Sequence, residues 1–304
     1  MLCEINAWGN LPAVWLAITS AAAVGITGMS AVVFWAYYVN PSYEMWRYKS
    51  NPKYPTVMMV KEEIQQMFKG MFTATLCPAL TLWMTTKGYS QAYCGVSESH
   101  GAGHLLLEFW VIWIGTDFFE FFYHWIGHRI SFMWGIHKHH HVFYNPSPFA
   151  VIADEYVDQF VRSTPLCLLP MMMPINIDLM FGVYVIFFYG YGVYLHWGYE
   201  LEALPADHPF INTSFQHYLH HAISVKNKPY HTGFFFKIWD QMFGSIYKGD
   251  VVISAMEARG RGLRTREAFD KIEKPDYSPL LRLSFWLKGE VEDSPAMAES
   301  KKSM

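Results

Sequence analysis

The chain has 304 residues, of which 18 % are aromatic and only 16 % charged, and its formal net charge is −3. Soluble domains average about 25 % charged residues, so this composition, gathered into long apolar runs, excludes an ordinary soluble fold and predicts an all-α integral membrane protein. The near-neutral balance offers no electrostatic footprint for nucleic acid. Four scattered cysteines, Cys3, Cys77, Cys94 and Cys167, make no C-x-x-C zinc or redox motif and no disulfide framework. A Cys3–Cys94 bond would have to form on a non-cytosolic face, and nothing in the spacing argues for it.

A membrane-crossing helix needs about 20 mostly apolar residues. Leu11 to Val39 supplies a first span, too long for a signal-peptide core and with no basic residue before it, so no cleavable signal is expected. Residues 41–63 are polar and carry Arg47, Lys49, Lys53 and Lys61, which places them on the cytosolic side. Met67 to Thr86 reads as a second span containing Pro78, residues 87–103 as a lumenal loop, and His104 to Tyr123 as a third span. Residues 161–198 begin with STPLCLLPMMMP, broken by Pro165, Pro170 and Pro174. They are expected to form a hairpin that enters the membrane and returns at His196. Three spans plus this hairpin give about four membrane elements. FFFKIWDQMFGSIY reads as an interfacial helix, and LLRLSFWLK as a short amphipathic piece. The domain plan is therefore a transmembrane region at 1–103, a catalytic region at 104–250 and a charged cytosolic tail at 251–304. The tail ends in KKSM, which resembles the dilysine signal for retrieval to the endoplasmic reticulum.

The chemistry lies in the histidines. HWIGH places His124 and His128 four apart, HKHHH gives His137, His140 and His141 as H-x-x-H-H, and HYLHH repeats that spacing as His217, His220 and His221. Residues at i, i+3 and i+4 neighbour one another on a helix, so each run is expected to aim its imidazoles at a single point, with His139 turned away. Eight of the 14 histidines fall into these three runs, more than one metal can use. A two-metal centre follows, with His196 beside it. A histidine-rich loop binding metal incidentally is the blander reading, and the matched spacings weigh against it. Asp117 and Glu120, seven and four residues before His124, share its helical stripe and are expected to accept ring N–H bonds from the ligands. The alternative for them is a polar stripe that glues helices together. His231 is open between ligand, support and solvent.

Nitrogen-rich ligation of two metals with open positions suits iron and dioxygen, whereas structural zinc favours cysteine. HWIGH, HKHHH and HYLHH, in this order and layout, resemble the fatty acid hydroxylase/sterol desaturase superfamily of di-iron membrane enzymes. The resemblance is greatest to the sterol C5-desaturase branch, through KGYSQAY, PSPFA, His196, PFINTS and WDQMFGSIY. It implies His124, His128, His137, His140, His141, His196, His217, His220 and His221 as metal ligands. Asp117, Glu120, Glu155, Asp158, His231 and Asp240 would support them. It also implies two non-haem irons, O2 as co-substrate, a lipid substrate taken from the bilayer, and residence in the endoplasmic reticulum. Electrons would come from NAD(P)H through cytochrome b5 and its reductase as separate partners. One stretch departs: after PSPFA the chain reads VIADEYVDQF, with Ile152 and Glu155 where that branch carries histidines. Asp154, Glu155 and Asp158 would supply carboxylates there. This departure leaves an alternative-type squalene epoxidase level with a C5-desaturase. Sterol C4-methyl oxidation or lipid hydroxylation stands behind them. Outside this class, a haem-binding electron carrier needs only a few axial ligands and leaves most clusters unused, and a metal transporter would string its ligands through the bilayer.

Overall fold

A computed structural model describes residues 2, 9–51, 53–96, 100–204, 206, 208–248 and 264–288. The described chain is mostly helical, and two of its helices, Leu11–Val39 and Ile177–His196, are long and apolar enough to cross a membrane. Helix α1 (Leu11–Phe34) starts where the Asn10 side chain accepts from Ala13 N and Pro12 fills the first turn, where a missing N–H costs nothing. It carries no charged residue, and Leu16, Val24, Val32 and Trp35 stand exposed along it, as a lipid-facing surface requires. The helix widens into a π turn over Trp35–Val39.

The expected second span, Met67 to Thr86, is instead two helices, α2 (Val57–Ala74) and α3 (Leu76–Thr86), parted at Thr75. Pro78 has no N–H to give the carbonyl of Ala74, so the helical ladder cannot run through. Helix α4 (Ala102–Arg129) covers the third expected span and continues past it, so His124 and His128 ride on its last two turns. A short helix α5 (Ser131–His137) leads into a 3-10 turn at His140–Val142, and a second such turn follows at Pro148–Ile152. Then come α6 (Tyr156–Ser163) and α7 (Pro165–Met172). Helix α8 spans Ile177–His196 and contains a π segment at Tyr184–Gly190. Helix α9 (Ser214–Ile223) carries the last histidine run. FFFKIWDQMFGSIY forms only a six-residue helix, α10 (Ile238–Phe243), because the backbone just before it is extended: Phe236 pairs with Ile211, and Lys237 N donates to Phe210 O at 2.9 Å.

Helix directions bring the histidines to one end. At the far end, strand β1 (Ala92–Tyr93) pairs in parallel with β2 (Ile175–Asn176), and Gln91 N bonds Pro170 O at 2.7 Å. Glu108, near the start of α4, accepts from Asn176 N at 3.0 Å and from Tyr93 OH at 2.9 Å. Helices α4 and α8 therefore leave this end together and both finish among the histidines. Helix α7 runs the other way, from beside Arg162 down to Met171, so residues 161–198 form the expected out-and-back path. Cys94 lies at this far end and is disulfide-bonded, which its spacing had given no reason to expect, while Cys77 and Cys167 are free. The tail is not wholly separate: Tyr277 is buried and donates to Pro55 O, and Lys61 Nζ donates to Phe285 O at 3.0 Å. Residues 251–263 and the terminal KKSM lie outside the described residues.

Candidate metal centre

All nine expected ligands converge, in two groups. His124, His128, His137, His141 and His220 form one, and His140, His196, His217 and His221 the other; within each, the ligand nitrogens lie within 4.8 Å of one another. The H-x-x-H-H runs do not each aim at one point, as their spacing had suggested. Each splits. His137 and His141 join the first group while His140 joins the second, and His217 and His221 join the second while His220 crosses to the first. On α9 the reason is angular: neighbouring residues on a helix diverge by about 100°, so the i, i+4 pair shares a direction that i+3 does not. At His137–His141 the chain leaves α5 for a 3-10 turn, which sets His140 apart. Two such runs facing each other exchange one imidazole apiece and tie the two groups together. His139 is exposed.

Backbone carbonyls set most of the ring orientations. The Nδ1 of His124 bonds Thr232 O at 3.2 Å, that of His128 Val225 O at 3.3 Å, that of His196 Gly192 O at 2.7 Å and that of His220 Tyr230 O at 2.6 Å. A carbonyl only accepts, so each of these Nδ1 atoms carries the proton and each Nε2 is left as a bare lone pair. The Nε2 atoms crowd together: Nε2 to Nε2 is 3.0 Å for His217–His196, 3.1 Å for His220–His141, 3.2 Å for His221–His217 and 3.3 Å for His141–His137. The Nε2 atoms of His124 and His128 are buried without any partner. One Nε2–H cannot satisfy several inward lone pairs, whereas a cation can. Metal–nitrogen bonds of about 2.1 Å set at right angles place their nitrogens about 3 Å apart, the spacing found here. The donor set fits a metal in each group.

Burial holds the rings in the neutral form that ligation needs. It depresses His124, His140, His141, His217, His220 and His221 well below the ordinary histidine value, and repulsion among the rings adds to it. His128 is pushed down to about 3, first by burial and then by His137.

The supporting residues divide differently from expectation. Asp158 does hold a ligand: its Oδ2 is 3.3 Å from His137 Nδ1, and its Oδ1 accepts from Tyr123 OH at 2.6 Å. Asp117 touches no histidine. It accepts from Phe235 N, Phe236 N and Trp239 Nε1 at 2.7, 3.1 and 2.8 Å, pinning the segment before α10 to α4. Glu120 pairs with Arg162 at 2.7 Å, and Glu155 reaches Lys69 at 2.6 Å, away from the centre. These side chains sit on the stripe's flank, facing α6 and α10 rather than the rings. Asp240 acts at one remove, accepting from Thr232 N at 2.9 Å and Gly233 N at 2.8 Å and so fixing the carbonyl that orients His124. His231 is buried at φ 51° with neither ring nitrogen hydrogen-bonded, and stands outside both groups. Asp154, already a candidate carboxylate, belongs here, and so does Arg162, which was not expected. Asp154 Oδ1 lies 3.2 Å from His140 Nδ1, and Arg162, beside both Glu120 and Asp154, balances their charge. The i, i+4 spacing of Asp154 and Asp158 was a visible signal; Arg162 had none.

These features define a class: a helical membrane protein whose apolar helices end at two polyhistidine groups that could each hold a metal. Residues 109–245 match the model of the fatty acid hydroxylase family, and this segment, which holds every histidine of both groups, belongs to that family. The chain is 27 % identical to lathosterol oxidase of Rattus norvegicus over 72 % of its own length and 73 % of that protein. It is 24 % identical to lathosterol oxidase of Homo sapiens over the same shares, and 27 % identical to a Delta(7)-sterol 5(6)-desaturase of Gibberella zeae over 61 % of this chain and 51 % of that one. No solved structure matches. The chain is thus an oxidoreductase of the desaturase and hydroxylase kind, on the sterol-desaturase side of its superfamily.

Proposed function

We propose that the chain is a multi-pass enzyme of the endoplasmic-reticulum membrane that binds two non-haem irons and uses O2 to oxidise a lipid of sterol biosynthesis. Its apolar helices and the hairpin carry it, with the histidine end and the C-terminus in the cytosol. The observation that carries the reading is the convergence of nine histidines into two groups with bare Nε2 atoms turned inward. Iron held there supplies the oxidising power that unactivated C–H bonds or alkenes demand. The chain's own part is to present neutral imidazoles, to fix their tautomers through the carbonyls of Thr232, Val225, Gly192 and Tyr230, and to keep water out. Apolar helices that end at the centre lead a lipid to it from the bilayer. The disulfide at Cys94, at the opposite end from the histidines, agrees with a lumenal loop there, because disulfides persist in the oxidising lumen.

The lathosterol oxidase and Delta(7)-sterol 5(6)-desaturase relatives favour introduction of a ring double bond at C5 of a sterol. Epoxidation of squalene is a second reading, favoured by the segment Ala153 to Phe160. There Asp154 reaches a ligand, and Glu155 stands where the C5-desaturase resemblance places a histidine. Expression in two yeast strains, one lacking C5-desaturase and one lacking squalene epoxidase, with sterol profiling, separates the two. Rescue of one strain assigns the reaction, and rescue of neither overturns the sterol-pathway reading.

A further inference from the structure

We infer that the exposed rim around His128 is the docking surface for an acidic one-electron carrier protein. This rests on the di-iron reading above. Reduction of O2 to water takes four electrons. Desaturation joins the substrate's two hydrogens, O2, two protons and two external electrons into two waters and a double bond. Epoxidation likewise consumes O2, two protons and two external electrons, giving the epoxide and one water. In both, the substrate provides only half of the electrons. The rest arrive one at a time from a protein that must come close to the metals.

At this rim a ring of the first group lies one peptide group from solvent. Val225 is 50 % exposed, and its carbonyl accepts directly from Nδ1 of the ligand His128. Asn227 N donates to His128 O at 2.8 Å, so the turn at 225–228 is fastened to the end of α4. On the other side Trp134 is half-buried, with its ring 4.9 Å from that of His128 and 5.5 Å from that of His141. One peptide group and one indole therefore separate the surface from the first metal group.

Among the described residues, the segments that form this rim carry charge of one sign. Arg129, Lys138, Lys226 and Lys228 are exposed, and residues 121–153 and 208–239 contain no aspartate or glutamate. The whole chain carries −3, so the positive rim is local and not a by-product of overall composition. Such a patch steers an oppositely charged partner, raises its association rate and weakens with salt.

The test uses full-length, iron-loaded protein in lipid nanodiscs, with the soluble haem domain of cytochrome b5 as the acidic probe. Affinity and the rate of iron reduction by that domain are measured at low and at high salt. The triple variant K138E/K226E/K228E is expected to weaken binding about tenfold or more and to flatten the salt dependence. Its iron content should equal that of the unaltered protein, since none of the three residues is a ligand. Lys87→Glu, an exposed change beyond the opposite end of α3, should leave affinity as it was. Trp134→Phe should slow reduction without weakening binding. Unchanged affinity and reduction rate in the triple variant, or an equal loss in Lys87→Glu, overturns the docking surface. A protein that holds no iron instead overturns the di-iron reading, and the iron count made beforehand tells the two failures apart.

Discussion

A single carboxylate can be assigned a task here because its partners are few. Asp158 takes the Nδ1 proton of His137 and the hydroxyl of Tyr123, and it stands buried in the first turn of its helix. Asn at this position keeps the size but loses the negative charge, so Asp158→Asn is expected to weaken metal binding 10–100-fold, the usual cost of losing such a partner. Glu155→Gln serves as the contrast, because Glu155 bonds Lys69 and no ligand, and its iron affinity should match that of the parent. Equal losses in both variants would refute the assignment. The rings themselves set a pH limit. His128 and His231 are held down to about 3, burial being the main cause for each, and six other rings are lowered too. Below the ordinary value of 6.5 the unfolded chain binds protons that the folded one refuses. Stability is thus full above that pH and falls as pH drops toward the folded values, by up to about 1.4 kcal/mol per pH unit for each such ring. Glu63 and Asp240, raised by burial to about 8 and about 6, act in the opposite sense as pH falls, so the melting temperature reports the balance. The more numerous rings predict a net fall between about pH 6.5 and pH 5, and a melting temperature that rises over that range contradicts this.

At the level of elements, the spacings of the three histidine runs were legible, and the partition of those runs was not. Spacing reveals that His137, His140 and His141 lie near one another. Only the approach of α9 to the His140–Val142 turn decides which of them shares a metal with which. The carbonyls of Thr232, Val225, Gly192 and Tyr230 carry no sequence signal at all, since every residue has one. Asp117 and Glu120 were legible as buried acids on the helix that bears His124, but their partners arrive from Trp239 and Arg162, far along the chain. The carrier of Asp154 is held by close packing: a methyl group on Gly70 of α2 would collide with the carbonyl of Ile152 and crowd Gln159. Gly70→Ala therefore has to push α2 away from the turn that precedes Asp154. Overpacking of this kind costs about 1–3 kcal/mol. The expected outcome is a lowered melting temperature with reduced iron affinity, and a variant indistinguishable from the parent in both would show that the contact is not needed.

For the whole molecule, the direction of the helices matters more than their number. The hairpin of α7 and α8 was inferred from prolines and from the need to return His196 to its neighbours. The structure supplies that path through bonds at the far end, where Glu108, Asn176, Tyr93 and Gln91 meet. Composition gave the apolar, helical character correctly, yet it read Met67 to Thr86 as one span. A hydropathy run does not register that Pro78 breaks the ladder. Everything proposed about chemistry depends on one arrangement, in which the second and third histidine runs exchange His140 and His220 between two metal positions.

That exchange is most directly tested by counting iron in purified protein by elemental analysis beside the variants His140→Ala and His220→Ala. The account predicts two irons per chain in the parent, preferential loss from one group in His140→Ala and from the other in His220→Ala, and distinct Mössbauer signatures for the irons that remain. One iron or none in an active parent, or identical residual spectra in the two variants, would contradict it.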